Sequence, residues 1–239
     1  MRKLIFFLTI TTLLLNSCKL NYITSPMSHP NFSKKGQTEI NGNIGSSLQS
    51  YSAIVKANHS YSDKNGIVLV FLHAFPNNTE RQKERINKSK GSIDYGEFGY
   101  VYYKSIHDSK VSFYSTTLGY GIGFVETNGL PNEPGYLDYF VRYQYHRLYG
   151  QFNIYLTTNQ LDLGIGLRLS QLFITNSEIN EQKISNSFKK SQQIFGFTTT
   201  LRAKVTKEFV IISELSIELP NLGNSLFGMT TTLGVGYRF

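Results

Sequence analysis

The sequence has little of what stabilises or localises most soluble proteins of its size. It contains one cysteine, no tryptophan and six prolines among 239 residues. A single cysteine excludes an internal disulfide and a thiolate metal cluster. Charged residues make up 17% of the chain, below the roughly 25% of soluble domains. After the first eighteen residues, no apolar run approaches the ~18 residues that a transmembrane helix requires.

Neither metal binding nor nucleic-acid binding has support in the sequence. No histidine belongs to a His-x-x-x-His or His-Glu pair at ligand spacing, so we expect no metal site and no cofactor. The net charge is +8, but the Lys and Arg residues form no dense cluster. We therefore expect no nucleic-acid partner. Membrane lipid headgroups and lipopolysaccharide phosphates are the expected counter-charges. The histidines are His29, His59, His73, His107 and His146.

The first eighteen residues have the organisation of an export signal. Arg2 and Lys3 precede an apolar stretch at residues 4–15, which is too short to span a membrane but suits a signal h-region. Asn16, Ser17 and Cys18 follow directly. This ending resembles the lipobox of bacterial lipoproteins, which implies cleavage before Cys18 and lipidation of that residue; ordinary cleavage nearby, leaving a free thiol, is the alternative. We divide the chain into a signal peptide (1–17), an extended tether after the lipidated Cys18 (18–36) and a β-barrel (37–239).

From residue 37 to the end the chain alternates with a period of two residues. Leu161, Leu163 and Ile165, for example, oppose Asp162 and Gly164, and similar stretches recur with turn signals between them. Residues 137–158 are ambiguous because the apolar parity slips near residues 147–150, which indicates either one bulged strand or a tight hairpin.

The connections favour ten strands. If residues 137–158 form one strand, short turns near 62–66, 105–110, 158–160 and 206–208 alternate with longer links near 76–94, 125–137, 175–191 and 220–226. Short turns on one side and long loops on the other are typical of outer-membrane barrels. We therefore predict an all-β fold, a single antiparallel up-and-down transmembrane β-barrel of ten strands. Eight or twelve strands are the alternative counts.

The polar face of the strands carries charges of both signs. Lipid offers no hydrogen-bond partner for the backbone, so a membrane domain built of strands closes on itself, with an apolar outside and a polar lumen. Arg or Lys facing lipid at mid-depth would cost roughly 2–4 kcal/mol. We therefore expect a lumen charge network in a lumen largely filled by side chains, without an open pore. Its residues are Asp162, Arg168, Arg202, Lys204, Glu214, Glu218 and Arg238.

Two further stretches resemble known bacterial envelope proteins. The last strand ends on Tyr237 and Phe239, which resembles the C-terminal signal that the barrel-insertion machinery recognises, so that machinery is an expected partner. The stretches CKLNYITSPMSHPNFSKKGQTEI and FNIYLTTNQLDLGIGLRLS resemble a family of small outer-membrane β-barrel lipoproteins of Bacteroidetes-type bacteria, with Gln37 where an acidic residue is usual. The members of this family are mostly of unknown function, so the resemblance implies a fold and a lipid anchor in the outer membrane.

Three functions remain open from the sequence. The favoured one is a non-enzymatic outer-membrane lipoprotein with a structural or surface-interaction role, ligand unknown. A lipid-modifying enzyme of the acyltransferase or deacylase type would need a Ser-His pair on the barrel wall, for which His59 and His146 are candidates. A soluble, periplasmic, lipocalin-like lipoprotein is the third. A possible anion-binding surface loop at residues 77–92 carries Arg81, Lys83, Arg85, Lys88 and Lys90.

Overall fold

The structure is a computed structural model that describes most of the barrel. The described residues are 27, 30, 32, 35–47, 50–76, 91–106, 111–129, 139–179, 182–183, 191–220 and 228–239. Cys18 and the basic surface loop with Arg81, Lys83, Arg85, Lys88 and Lys90 lie outside them. In the described part of the chain, no helix is long and apolar enough to cross a membrane.

Ten long strands form a closed barrel in the described part of the chain. Consecutive long strands pair antiparallel, β7 pairs with β9, and β1 closes the circle by pairing with β11. The two-residue β8 only pairs with the end of β7. The predicted ten-stranded up-and-down barrel is confirmed. The strands are β1 (Thr38–Ser47), β2 (Ser50–Ser60), β3 (Asn65–Pro76), β4 (Gly91–Ser105), β5 (Val111–Gly129), β6 (Tyr139–Thr157), β7 (Leu161–Ile179), β8 (Gln182–Lys183), β9 (Ser191–Lys204), β10 (Phe209–Pro220) and β11 (Gly228–Arg238).

The faces of the strands follow from the two-residue period. In β7, Leu163, Ile165 and Leu167 are exposed on the outside, whereas Asp162 and Arg168 are buried inside. Successive side chains of a strand point to opposite faces, so one register places every second residue in the interior. The outer surface is apolar around the barrel, and the interior holds most of the buried charge of the described residues.

In their described part, residues 137–158 contain neither the bulge nor the tight hairpin that the parity slip indicated. They contain one continuous strand, β6, as the ten-strand interpretation requires. The explanation of the parity slip was wrong, because Tyr145 and Tyr149 are both buried in the interior and share one parity. Beside β6, the pairing with β7 shifts register between Gln144 and Tyr145, where Thr175 of β7 is the additional residue. The slip reflects aromatic side chains inside the barrel, not a bulge in β6.

One end of the barrel carries short turns, and we call it the turn end; the opposite end is the loop end. Side-chain oxygens cap three of the turns. The Asn65 N–H donates to Ser62 Oγ (2.9 Å), the Leu161 N–H to Thr158 Oγ1 (2.9 Å) and the Phe209 N–H to Thr206 Oγ1 (3.0 Å). Such local bonds favour tight turns over continued strand.

At the loop end the strands continue further than the apolar alternation suggested. β5 reaches Gly129 and β7 reaches Ile179, where we had expected the loops to begin near residues 125 and 175. The outward positions there are polar, for example Glu126 and Arg142. Alternation between apolar and polar residues ends where the outer face becomes polar, although the backbone pairing continues.

The interior has an apolar layer toward each end. Toward the loop end, a cluster contains Ile54, Val70, Leu72, Ala74, Tyr95, Val125, Tyr145, Leu172 and Ile194. Toward the turn end, Phe32 packs with Val68, Val101 and Tyr103. Phe32 and the fully buried Met27 precede β1, so part of the segment that we expected to be an extended tether (18–36) lies inside the barrel.

Candidate functional site

The central feature of the interior is an ion pair between Arg168 of β7 and Glu97 of β4. The guanidinium donates from Nη2 to Glu97 Oε1 (3.0 Å) and from Nη1 to Oε2 (3.1 Å). Gln151 Oε1 accepts two further bonds from Arg168, at 2.9 Å from Nε and 2.7 Å from Nη2. The ring of Tyr149 lies 4.1 Å from the guanidinium carbon, in cation–π geometry. A planar guanidinium matches such a fork of acceptors.

A second pair lies beside the first. Arg147 of β6 donates to both oxygens of Glu218 in β10, at 3.0 and 3.2 Å. Tyr95 connects the two pairs, because its hydroxyl donates to Glu97 Oε2 (2.8 Å) and its ring centroid lies 5.9 Å from the Arg147 guanidinium carbon. These charges are almost fully buried, and each pair bridges strands that are not neighbours in the sheet.

Between the middle of the barrel and the turn end, three further cationic side chains each face a buried carboxylate. Lys56 contacts Glu214, which also accepts a bond from Thr232 Oγ1 (3.2 Å). Arg202 contacts Glu39. Lys204 Nζ lies 2.7 Å from Asp162 Oδ1. Each buried charge therefore faces one of opposite sign, which is the condition for tolerating charges in a low-dielectric interior.

The β1–β11 seam contributes one more interior pair. Arg238 of β11 donates from Nη2 to Glu39 Oε2 (3.0 Å), and Glu39 Oε1 accepts a bond from Asn41 Nδ2 (3.0 Å). The backbone N–H of Phe239 donates to the Thr38 carbonyl (2.9 Å). The first and last long strands are thus joined by backbone bonds and by one shared carboxylate.

The structure brings the predicted network together with partners that the sequence analysis did not select. All seven predicted charges face the interior, but only Lys204 and Asp162 pair with each other. The other partners are Glu39, Lys56, Glu97 and Arg147. Glu39, Lys56 and Glu97 lie on the polar parity of their strands, so the same two-residue rule could have identified them. Arg147 was hidden by the ambiguous parity of β6.

Glycines of β5 receive the interior tyrosines. A Cβ atom at Gly119 would overlap Tyr149, one at Gly121 would overlap Tyr95, and one at Gly123 would overlap Tyr145. The missing side chains therefore provide the space in which three large rings lie against the wall. This explains the stretch GYGIGF as a packing feature of a narrow barrel.

The outer wall carries three polar histidine contacts. His73 Nδ1 lies 2.6 Å from Asp94 Oδ1, and both side chains are exposed near the loop end. His59 Nδ1 lies 2.8 Å from Thr38 Oγ1, and His146 contacts the Tyr120 hydroxyl. The hydrogen bonds of His59 and His146, the two candidates for a Ser-His pair, therefore go to groups other than a serine hydroxyl.

No candidate metal site is present among the residues that the structure describes. No group of three or more His, Cys, Asp or Glu side chains there could hold a metal ion.

Tyr237 and Phe239 lie on the outer face with their ring centroids 5.0 Å apart in an edge-to-face arrangement. Both rings are about half exposed or more, so they are accessible on the outer face at the turn end.

No protein-family model matches the chain, and no curated protein matches it. Among solved structures, the outer membrane protease OmpT from Escherichia coli is similar with a TM-score of 0.47 at 10% identity, covering 88% of this chain and 99% of that chain. An outer membrane channel from Pseudomonas putida F1 has a TM-score of 0.46 at 10% identity, covering 90% and 100%. The translocator domain of the autotransporter NalP from Neisseria meningitidis has a TM-score of 0.46 at 11% identity, covering 85% and 87%.

Proposed function

We propose that the protein is a lipid-anchored β-barrel of the bacterial outer membrane with a non-conducting lumen and a structural or surface-interaction role. The observation that carries this proposal is the inverted polarity of the barrel. Ile44, Leu118 and Leu169 are more than 60% exposed, whereas Arg147, Arg168 and Arg202 are at most 1% exposed. Soluble proteins bury their apolar side chains and expose their charges. A closed sheet with the opposite arrangement suits a hydrocarbon environment.

The dimensions support a membrane location. About ten residues at ~3.3 Å each, tilted by about 40°, rise about 25 Å, which is the height of the apolar band of such barrels. On β7, every outward side chain from Leu161 to Leu169 is apolar and exposed, which is close to such a length. A soluble, lipocalin-like barrel would place these side chains in its interior, so the arrangement argues against that alternative.

The interior of the barrel argues against a role in the diffusion of solutes across the membrane. Ten-stranded barrels have narrow lumens, and water-filled channels appear around sixteen strands. Here the paired charges and the tyrosines over Gly119, Gly121 and Gly123 narrow the lumen, and the buried Met27 and Phe32 lie inside it as well. We therefore expect purified protein in planar lipid bilayers to give no porin-like conductance. Stable, porin-sized conductance steps would contradict a non-conducting role.

The principal experiment combines fractionation with electrophoresis. Membranes from expressing cells are separated by density, and the protein is run on a detergent gel before and after boiling. We expect it in the outer-membrane fraction, with a change in apparent mass on boiling because a closed barrel resists detergent until it is heated. Recovery in the soluble fraction, with no such change, would refute the proposal.

The lipid anchor rests on Cys18 and on the resemblance to small barrel lipoproteins. Two acyl chains give stable attachment, whereas a single chain is marginal. Cells fed radiolabelled palmitate should label the protein, and Cys18→Ser should abolish the label. The barrel of Cys18→Ser should still be heat-modifiable, since the first described strand begins at Thr38, twenty residues further along the chain. Equal labelling of both forms would exclude Cys18 as the acylation site.

For the surface-interaction role, the expected ligands are the anionic headgroups of lipids or lipopolysaccharide. In the sequence, Arg81, Lys83, Arg85, Lys88 and Lys90 lie between Pro76 of β3 and Gly91 of β4, and these two strand ends are at the loop end. We expect glutamine at all five positions to weaken retention of lipopolysaccharide by the purified barrel and to leave its heat-modifiability unchanged. Equal retention by the variant would remove this loop from the proposal.

A lipid-modifying enzyme is the second candidate, and one contact favours it. His73 Nδ1 lies 2.6 Å from Asp94 Oδ1, and the His73 side chain is 42% exposed on the outer surface. This arrangement is similar to the His–carboxylate pair of a hydrolase. Ser92 precedes Asp94 by two residues on the same face of β4. Incubation with phospholipid and lipopolysaccharide tests this candidate. Acyl release that His73→Ala abolishes would support it, and no release would exclude it.

A further inference from the structure

The segment before β1 turns back into the barrel at Gly36. Gly36 has a φ of 79°, a conformation that glycine adopts without steric cost. Its N–H donates to the Ser60 carbonyl (2.6 Å), and the Ser60 N–H donates to the Gln37 carbonyl (2.9 Å). These bonds fix the chain against the end of β2 just before β1 begins, at the turn end, and the buried Phe32 and Met27 precede this point in the sequence.

Phe32 occupies the first part of this path. Its ring centroid lies 5.0 Å from that of Tyr103, and it belongs to the apolar cluster with Val68 and Val101. A Cβ atom at Gly66 would overlap the Phe32 ring, so the wall has no side chain where the ring lies. Pro30, also buried, has no N–H group that would need an acceptor in the lumen.

Met27 marks the deepest described point of the segment. Its side chain is fully buried, and a Cβ atom at Gly196 of β9 would overlap Met27 Cε. Its carbonyl accepts a bond from Lys56 Nζ of β2 (2.9 Å). Three strands lie between β2 and β9 on the shorter way around the barrel. Met27 therefore contacts walls on nearly opposite sides, next to the interior charges Lys56, Arg168 and Glu218.

We propose that the segment before β1, through its described residues Met27, Pro30 and Phe32, acts as an internal plug that seals the lumen between the turn end and the charged middle layer. The segment that carries Met27 and Phe32 occupies this part of the lumen. It is held by the turn at Gly36, by the space at Gly66 that receives the Phe32 ring, and by the hydrogen bond from Lys56 to the Met27 carbonyl. The proposal rests on the proposed membrane barrel and deepens it, since it assigns the sealing to a segment that is separate from the wall.

Cysteine accessibility tests the position of the plug. In a full-length Cys18→Ser background, Met27→Cys and Lys35→Cys each supply one thiol. Lys35 is exposed on the same segment and serves as the matched control. In the folded barrel, a water-soluble maleimide should label Met27→Cys at least about 100-fold more slowly than Lys35→Cys, because labelling requires local opening. In denaturant the two rates should agree. Equal rates in the folded barrel would overturn the proposal.

Conductance tests the sealing role. A variant lacking residues 19–35 is compared with the full chain in planar bilayers, after heat-modifiability has shown that both are folded. We expect conductance steps from the deletion variant and none from the full chain. A folded deletion variant that conducts no more than the full chain would overturn the sealing role. If the full chain itself is not heat-modifiable, the proposed membrane barrel fails; if the barrel is folded and Met27→Cys is freely labelled, only the plug fails.

Discussion

Replacing Arg168 by methionine should strongly destabilise the barrel. Methionine keeps much of the length and volume of the side chain but removes the charge that faces Glu97 at 3.0 Å. Glu97 would remain buried at 3% exposure, with its charge no longer neutralised by Arg168. Removing one partner of a buried ion pair costs about 3–5 kcal/mol. The lost contact with Tyr149, at 4.1 Å, places Arg168→Met toward the upper end of that range.

A double variant and a surface pair make this prediction specific. In the Arg168→Met background, Glu97→Gln removes the buried carboxylate charge that Arg168 no longer neutralises. It should restore about half of the lost free energy of unfolding. Arg142→Met is the matched control, because the Arg142–Glu126 pair is formed at 3.2 Å between side chains that are 57% and 50% exposed. Exposed pairs contribute about 0–1 kcal/mol.

The assay is a urea titration in detergent micelles, with the folded fraction read from gel migration. The result that would refute the reasoning is an equal loss for Arg168→Met and Arg142→Met. It would mean that water reaches Glu97 and that the interior pairs are solvated.

Three other predictions test the outer face, the interior packing and the C-terminus. Ile165→Arg, on the exposed face of β7, should lower the free energy of unfolding in lipid by about 2–4 kcal/mol, whereas Gln160→Arg in a turn should change it little; urea titration in bilayers measures both. Gly121→Ala should cost about 1–3 kcal/mol because its methyl group overlaps Tyr95, while Gly42→Ala, with nothing within 4 Å, should be close to neutral in the same titration. Phe239→Ser should reduce the amount of barrel assembled in cells, measured by fractionation. The stability of the refolded protein should change little, since the Phe239 ring is 64% exposed. Leu233→Ser, on the same strand, is the control and should assemble normally.

The two-residue period predicted the strands and the face of most side chains. Apolar residues alternate with polar or small ones from Leu161 to Ser170 of β7, and from Phe195 to Lys204 of β9 with Thr199 as the exception. Asp162, Arg168 and Arg202 could therefore be assigned to the interior from parity alone. The strand count followed from the spacing of turns. Parity has this power because side-chain direction in a strand depends only on position along it.

Parity does not predict which charges meet. Arg168 and Glu97 are 71 residues apart and reach each other across the lumen, so their pairing depends on strand tilt and register around the closed barrel. The rule that apolar residues face outward also fails toward the loop end. Tyr145 lies inside there, in an apolar layer with Leu72, and this produced the apparent slip in β6.

The segment before β1 has no periodic signal, and none of its described residues lies in a strand. Met27 and Phe32 are isolated apolar residues among serines, asparagines and prolines, and nothing in their spacing indicates burial. Their positions are set by gaps in the wall at Gly196 and Gly66. Such gaps become visible only when the strands are placed side by side.

The most direct test of the central claim measures what surrounds the apolar outer face. A fluorophore is attached at Leu167→Cys in a Cys18→Ser background, with Gln160→Cys in the turn as control, and the barrel is placed in bilayers whose lipids carry bromine at the middle of the acyl chain. We predict strong quenching at Leu167→Cys by brominated lipid and weak quenching by aqueous iodide, with the reverse at Gln160→Cys. Quenching of Leu167→Cys by iodide alone would show that this face contacts water and would contradict the account.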